Sequence, residues 1–148
     1  MARSSTDMTH LIAPLMIRLP LGIIMMAHGS QKLMALFGGP GLTGTLRNFE
    51  EKLHIPPIFT LLAIIAEFVG GFGVLTGFLT RLSATGISTV MLVAIYKVHW
   101  ASGFFMNSQC TPGHGHGFEY AFSLLGMALY LMIAGGGPWC LDRLIFRS

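Results

Sequence analysis

The chain has 148 residues, of which 53% are apolar and only 10% charged, with a mean hydropathy of +0.67. Soluble domains carry about a quarter charged side chains, so the composition excludes an ordinary water-soluble fold or a separate soluble catalytic domain and points to a membrane protein. The net charge of +3 is scattered among apolar runs, which argues against nucleic acid as a partner, and two cysteines are too few for a disulfide framework or an iron–sulfur cluster.

At roughly 20 residues per crossing, this length accommodates four helical spans with short connections. Four apolar stretches match, at 11–36, 57–79, 82–104 and 117–137. None shows period-two alternation, so helices are expected rather than a barrel: an all-α, polytopic four-transmembrane-helix bundle, forming one domain over residues 1–148. The first run is read as a retained helix rather than a signal peptide, because it is long, contains Arg18 and lacks a small-residue cleavage site. In the 37–55 connection, Gly38-Gly39-Pro40-Gly41 precedes a 45–53 stretch whose apolar and polar residues alternate as in a short interfacial helix. Pro56 and Pro57 punctuate the start of the second run, where a missing N–H costs nothing. The 77–81 segment must turn the chain tightly, since one helix from 57 to 104 would overrun a bilayer. The third connection, 107–117, is polar, glycine-rich and free of Lys and Arg. Arg3, Arg81, Arg143 and Arg147 fall on one side and Lys32, Arg47 and Lys52 near the other, which with the uncharged third connection places both termini in the cytoplasm.

Five charged side chains fall inside the expected spans: Arg18, Lys32, Glu67, Lys97 and Glu119. Each costs about 2.5–3.5 kcal/mol at a helix centre, so pairing, snorkelling or a hydrated cavity must compensate them. His28, Gln31 and Lys32 close the first span, and Tyr96, Lys97 and His99 close the third. Glu67 lies near mid-membrane and Glu119 at the start of the fourth span, so the polar groups are expected to converge on the outer half of the bundle. His28 and Lys32 share a helix face, as do Tyr96 and His99. Snorkelling is the alternative for Lys32, Lys97 and Glu119. Arg18 is expected to meet lipid phosphate or Asp142. Glu67 is too deep to snorkel easily, which leaves an ion pair with a basic residue or a protonatable carboxyl.

His28, Glu67 and His99 form the candidate set for proton exchange. With Gln31, Lys32, Tyr96, Lys97 and Glu119 they make the candidate binding residues. Gly73 and Gly77, spaced small-x-x-x-small, predict close helix contact. Cys110, His114 and His116 carry metal-capable groups, but without a fourth ligand at defined spacing no metal site is expected. Cys140 falls on the opposite side of the membrane from Cys110, which excludes an intrachain disulfide.

The segments His28-Gly29-Ser30-Gln31-Lys32-Leu33, Phe37-Gly38-Gly39-Pro40-Gly41, Ala66-Glu67-Phe68-Val69-Gly70-Gly71 and Leu75-Thr76-Gly77-Phe78-Leu79-Thr80-Arg81 resemble the DoxX family of small bacterial membrane proteins. Val98-His99-Trp100-Ala101-Ser102-Gly103, Gly117-Phe118-Glu119-Tyr120 and the closing Gly135-Gly136-Gly137-Pro138-Trp139-Cys140-Leu141-Asp142 extend the similarity over about residues 14–142. The resemblance implies a four-helix inner-membrane protein associated with quinone-linked redox chemistry, thiosulfate:quinone oxidoreductase being the namesake association, or with complexes handling thiol and oxidative stress. It brings no agreed catalytic set that could be carried over. Two functions follow as expectations. In one, a quinone is the cofactor, with His28 or His99 at its carbonyls and Glu67 or Glu119 exchanging protons, while electrons come from a partner protein. In the other, the chain is a non-catalytic accessory or assembly subunit of a larger membrane redox complex. A b-type haem held by His28 and His99 is a disfavoured variant of the first. The lipid bilayer is a partner in either case.

Overall fold

The computed structural model describes residues 4–146, and among them it contains helices and turns without a strand. The helices are α1 (Ser4–Met34), α2 (Gly41–Leu53), α3 (Pro57–Thr76), α4 (Thr80–Ala94), α5 (Glu119–Ala134) and α6 (Leu141–Phe146). A π-helical turn, Ile95–His99, and a 3-10 turn, Trp100–Ser102, continue α4. Among the described residues, three apolar segments are long enough to cross a membrane: Ile12–Met34, Pro57–Thr76 and Thr80–Ser102. The fourth expected span, 117–137, is helical only over the 16 residues of α5, about 24 Å at the usual helical rise. Gly135 and Gly137, at φ 78° and 76°, turn the chain out of it. The chain is a polytopic helical membrane protein.

Local chemistry sets these boundaries. Pro57 occupies the first turn of α3, where its missing N–H leaves no partner unmet. Gly77, at φ 75°, ends the helix, its N–H returning to the Gly73 carbonyl, and α4 begins three residues later. The expected tight turn is therefore present. The interfacial helix is also present, as α2, but it starts four residues earlier than the alternation suggested, directly after Pro40.

α1, α3, α4 and α5 form the bundle, α1 lying chiefly against α3, and α4 against both α3 and α5. The α1–α3 contact is close because glycines hold it. A Cβ on Gly29 would lie 2.6 Å from the Phe68 backbone nitrogen, one on Gly22 2.8 Å from Leu75 Cβ, and one on Gly71 2.8 Å from the Met26 nitrogen. These pairings run antiparallel and place Lys32 almost level with Glu67. Gly73, expected to pack helix on helix, does so, meeting Ser83 of α4 as well as the Phe78 carbonyl, whereas Gly77 serves the turn and meets Arg18 and Cys140. Leu21, Met25, Val74, Ile87, Leu124 and Ala128 make the core. Met16, Ile23, Phe72, Leu82 and Ile133 stay exposed on the outer faces, as expected where the solvent is hydrocarbon and the helices satisfy their own backbone.

Candidate functional site

Lys32 lies in the last turn of α1. A helical Cα–Cβ bond tilts toward the helix N-terminus, so the side chain leans back into the bilayer rather than out to the headgroups. Its ammonium contacts both carboxylate oxygens of Glu67. Glu67 is 2% exposed and Lys32 23%. Ten residues along α3 from Pro57, the carboxylate is about 15 Å below the start of that helix, so the pair is an intramembrane one. Of the two states open to Glu67, the structure takes the ion pair with a basic residue. Snorkelling is not what Lys32 does, because its stem points the wrong way and its charge is already met.

Two α2 residues complete the setting of Lys32. The Thr45 hydroxyl, fully buried, donates to the Lys32 carbonyl at 3.2 Å, and the Phe49 ring centroid lies 5.9 Å from the ammonium. Both were missed in the sequence. Their spacing of four places them on one face of α2, which was the available signal.

The pair forms part of the wall of an open-sided groove of about 820 Å³ between α3 and α4. Phe49, Leu53 and Ile55 line its upper end, Phe78 and Leu79 its lower end, and the walls are otherwise almost wholly apolar. His99 also lines it, at the top. Gly86 on α4 is level with Ala66, where a Cβ would approach the alanine Cβ to 3.3 Å. His99, further along the same element, is roughly 20 Å above that level at the α-helical rise. Its Nδ1 is 2.8 Å from the His116 carbonyl oxygen. Tyr96, expected on the same face as His99, is 72% exposed, and Lys97 is exposed too. The π turn is the reason, since its wider winding breaks the three-residue spacing on which that expectation rested.

Of the remaining candidates, His28 and Gln31 stay beside the pair, His28 lying within charge reach of Lys32 and Glu67 and within hydrogen-bond reach of Gln31, while Glu119 lies apart. His28 is half-buried against Tyr120 of α5, ring centroids 6.3 Å apart, and is not among the groove-lining residues. Gln31 is packed under Gly39, whose Cβ would come within 2.6 Å of the Gln31 Cα. Glu119 accepts a hydrogen bond from the Met106 N–H at 3.0 Å, fastening the third connection to α5. Thus Lys32, Glu67 and His99 share a groove, Lys32 and Glu67 touch, and His28, Glu67 and His99 do not form one contact cluster. Cys110 is exposed, and no three His, Cys, Asp or Glu side chains come together among the described residues.

At the opposite end of the bundle, Arg18 meets neither expected partner. It is 1% exposed, and its guanidinium donates to four backbone carbonyls: Val74 (2.8 Å), Leu75 (2.9 Å), Gly136 (3.0 Å) and Trp139 (2.7 Å). Val74 and Leu75 lie in the last turn of α3, whose carbonyls have no intrahelical donor. Asp142 instead accepts from the backbone N–H groups of Leu79 (2.5 Å) and Thr80 (2.9 Å), holding the start of α4.

A family model described as DoxX matches residues 13–100. Among curated proteins, inner membrane protein YqjF of Escherichia coli is 31% identical over 110 residues, 73% of this chain and 77% of that protein. The uncharacterized membrane protein Rv3486 of Mycobacterium tuberculosis is 32% identical over 132 residues, 86% of this chain and 77% of its own. A Bacillus subtilis protein named "Putative oxidoreductase CatD" is 25% identical over 137 residues, 93% of this chain and 90% of that one. No solved structure matches.

Proposed function

The chain belongs to the DoxX family, and from that premise we propose that it is an inner-membrane subunit, both termini cytoplasmic, that receives a lipid-soluble quinone in the α3–α4 groove. The observation that carries this reading is the Lys32–Glu67 pair in the wall of that groove. Ligand sites for apolar molecules are concave and mostly hydrophobic, with a few polar groups fixing orientation. The ammonium has three donors. Two reach Glu67, and the third is the one offered to a quinone carbonyl. There it stabilises the negative charge that builds on the ring oxygen as electrons arrive, in surroundings where such stabilisation exceeds its value in water. Conversion to the quinol takes two electrons and two protons. A partner redox protein supplies the electrons, and the protons come from the aqueous side. The relative named as an oxidoreductase agrees with this chemistry.

Glu67→Gln and Lys32→Gln test it in lipid nanodiscs. Each should lower quinone affinity at least tenfold while the helical circular dichroism stays that of the wild type. Unchanged binding in both would overturn the reading. A second reading, an accessory subunit of a membrane redox complex, is favoured by one observation: a single ammonium occupies both oxygens of Glu67, as a purely structural clamp would. Under that reading Glu67→Gln abolishes co-purification of partner subunits and leaves no quinone binding to lose.

A further inference from the structure

We propose that Cys140 is a site of reversible oxidation, at which hydrogen peroxide converts the thiol to a sulfenic acid whose oxygen is held by Thr80 and Arg18. The site lies at the Arg18 end of the bundle and does not depend on the quinone reading. Among the described residues, the Thr80 hydroxyl is fully buried and has no hydrogen-bond partner. Burying such a group unpartnered is costly, so its presence calls for an explanation. Asp142 accepts from the N–H groups of Leu79 and Thr80 rather than from this hydroxyl. Arg18 holds a second spare donor. A guanidinium has five N–H groups, and its bonds to the carbonyls of Val74, Gly136, Trp139 and Leu75 use one on Nε, two on Nη1 and one on Nη2. The other Nη2 N–H has no acceptor among the described residues.

Both donors border Cys140. A Cβ on Gly136 would lie 2.6 Å from Thr80 Oγ1, 2.9 Å from Cys140 Cβ and 3.4 Å from Cys140 Sγ, so the hydroxyl and the sulfur flank one small gap. A Cβ on Gly77 would lie 2.6 Å from Arg18 Nη2 and would also meet Cys140 Cβ, which brings the guanidinium to the same residue. A carbon is refused at Gly136, but an oxygen bonded to the sulfur enters the gap as an acceptor, which is what the hydroxyl and the Nη2 N–H both lack. The thiol itself does not serve, because it donates to the Gly137 carbonyl at 2.8 Å and its sulfur is a weak acceptor. Cys140 is 7% exposed, while Trp139 and Leu141 on either side of it are exposed. The sulfur therefore lies one layer below the surface, within reach of a water-sized oxidant, and the guanidinium gives it the electropositive surroundings in which cysteines react. In the reaction the S–O bond forms as the O–O bond breaks. The sulfur loses two electrons to the peroxide, and the thiol proton leaves with the departing hydroxide as water. Cys110 lies in the third connection, at the other end of α5, so no second thiol is near enough to close a disulfide. The sulfenic acid persists until a small soluble thiol reduces it.

The test uses the full chain in lipid nanodiscs with Cys110→Ser, so that Cys140 is the sole cysteine. After peroxide treatment and removal of the excess by catalase, unfolding in the presence of dimedone should give an adduct that mass spectrometry maps to Cys140. Dithiothreitol added before the dimedone should abolish it. Thr80→Val keeps the side-chain volume and removes the hydroxyl, and it should lower the adduct yield about fivefold, the order expected for one lost hydrogen bond. Thr80→Ser should restore the yield. Before oxidation, Thr80→Val should melt no lower than the wild type, since the hydroxyl it removes has no partner there. An adduct yield unchanged in Thr80→Val would overturn the proposal, as would a lowered melting temperature of the untreated variant, which would mean that a buried water already satisfies the hydroxyl. So would a Cys140 that stays reduced at peroxide levels that oxidise Cys110 in the Cys140→Ser variant.

Discussion

The bundle carries a basic side chain toward each end, Arg18 buried and Lys32 half-buried, and satisfies the two in opposite ways. Arg18 is held by four neutral carbonyls contributed by the end of α3 and the chain just before α6. Lys32 is held by one carboxylate, beside an open groove. The guanidinium is a planar fork with five donors, suited to tying several backbone segments into a fixed node, whereas the ammonium is a compact charge with rotatable donors. The first arrangement leaves little donor capacity unused and joins three parts of the chain. The second leaves a donor free and lies where a ligand can reach it. Buried charge by itself therefore does not mark a functional site; what the charge is paired with, and what lies open beside it, separates the two ends.

Replacing Arg18 should have the largest effect. Arg18→Met strands the carbonyls of residues 74, 75, 136 and 139 in a water-poor interior, and a loss of about 3–5 kcal/mol is expected, read as the drop in unfolding free energy in detergent. Arg18→Lys should recover only part of it, because one ammonium cannot reproduce the fork. Full recovery by lysine would erase the distinction between the two ends.

The pair should behave differently. Lys32→Met or Glu67→Leu alone leaves an uncompensated intramembrane charge and should cost about 3 kcal/mol. The double variant removes both charges and should return to within about 1 kcal/mol of the wild type, since a buried ion pair is often no more stabilising than apolar residues of similar volume. Among the described residues, Arg18 has no ion-pair partner whose removal could rescue its loss in this way. A double variant no better than the singles would mean that the pair is embedded in a wider network.

Most of the fold could be read from the sequence, because apolar run length, the two prolines at 56 and 57 and the glycine at 77 act locally. So could the depth of Glu67, too great for it to snorkel easily, though not which of its two open states, ion pair or protonatable carboxyl, it takes. What could not be read depends on contacts distant in sequence. Arg18 is separated by more than 50 residues from every carbonyl it binds, and no periodicity encodes backbone acceptors. The direction of Lys32 follows from helix polarity and from glycines on α1 and α3 that set the level of one helix against the other. The divergence of Tyr96 and His99 comes from a change of helical winding that simple spacing does not reveal.

The smallest expected effect concerns Phe49, and it sharpens the comparison from the groove side. The ring lies 5.9 Å from the Lys32 ammonium and also lines the groove, so its contribution has an electrostatic part and a packing part. Phe49→Leu keeps apolar bulk and removes the π face, for an expected loss of about 0.5–1 kcal/mol. Repeating it in the Lys32→Met background divides the two parts, because the electrostatic one vanishes when the cation is gone and the packing one remains. The coupling between residues 32 and 49 should therefore equal most of the single-variant loss. Against Arg18→Met, at the other end of the bundle, Phe49→Leu should be additive to within about 0.5 kcal/mol. Coupling there would mean that the two ends share one cooperative unit, and the groove could then not be altered without disturbing the Arg18 node.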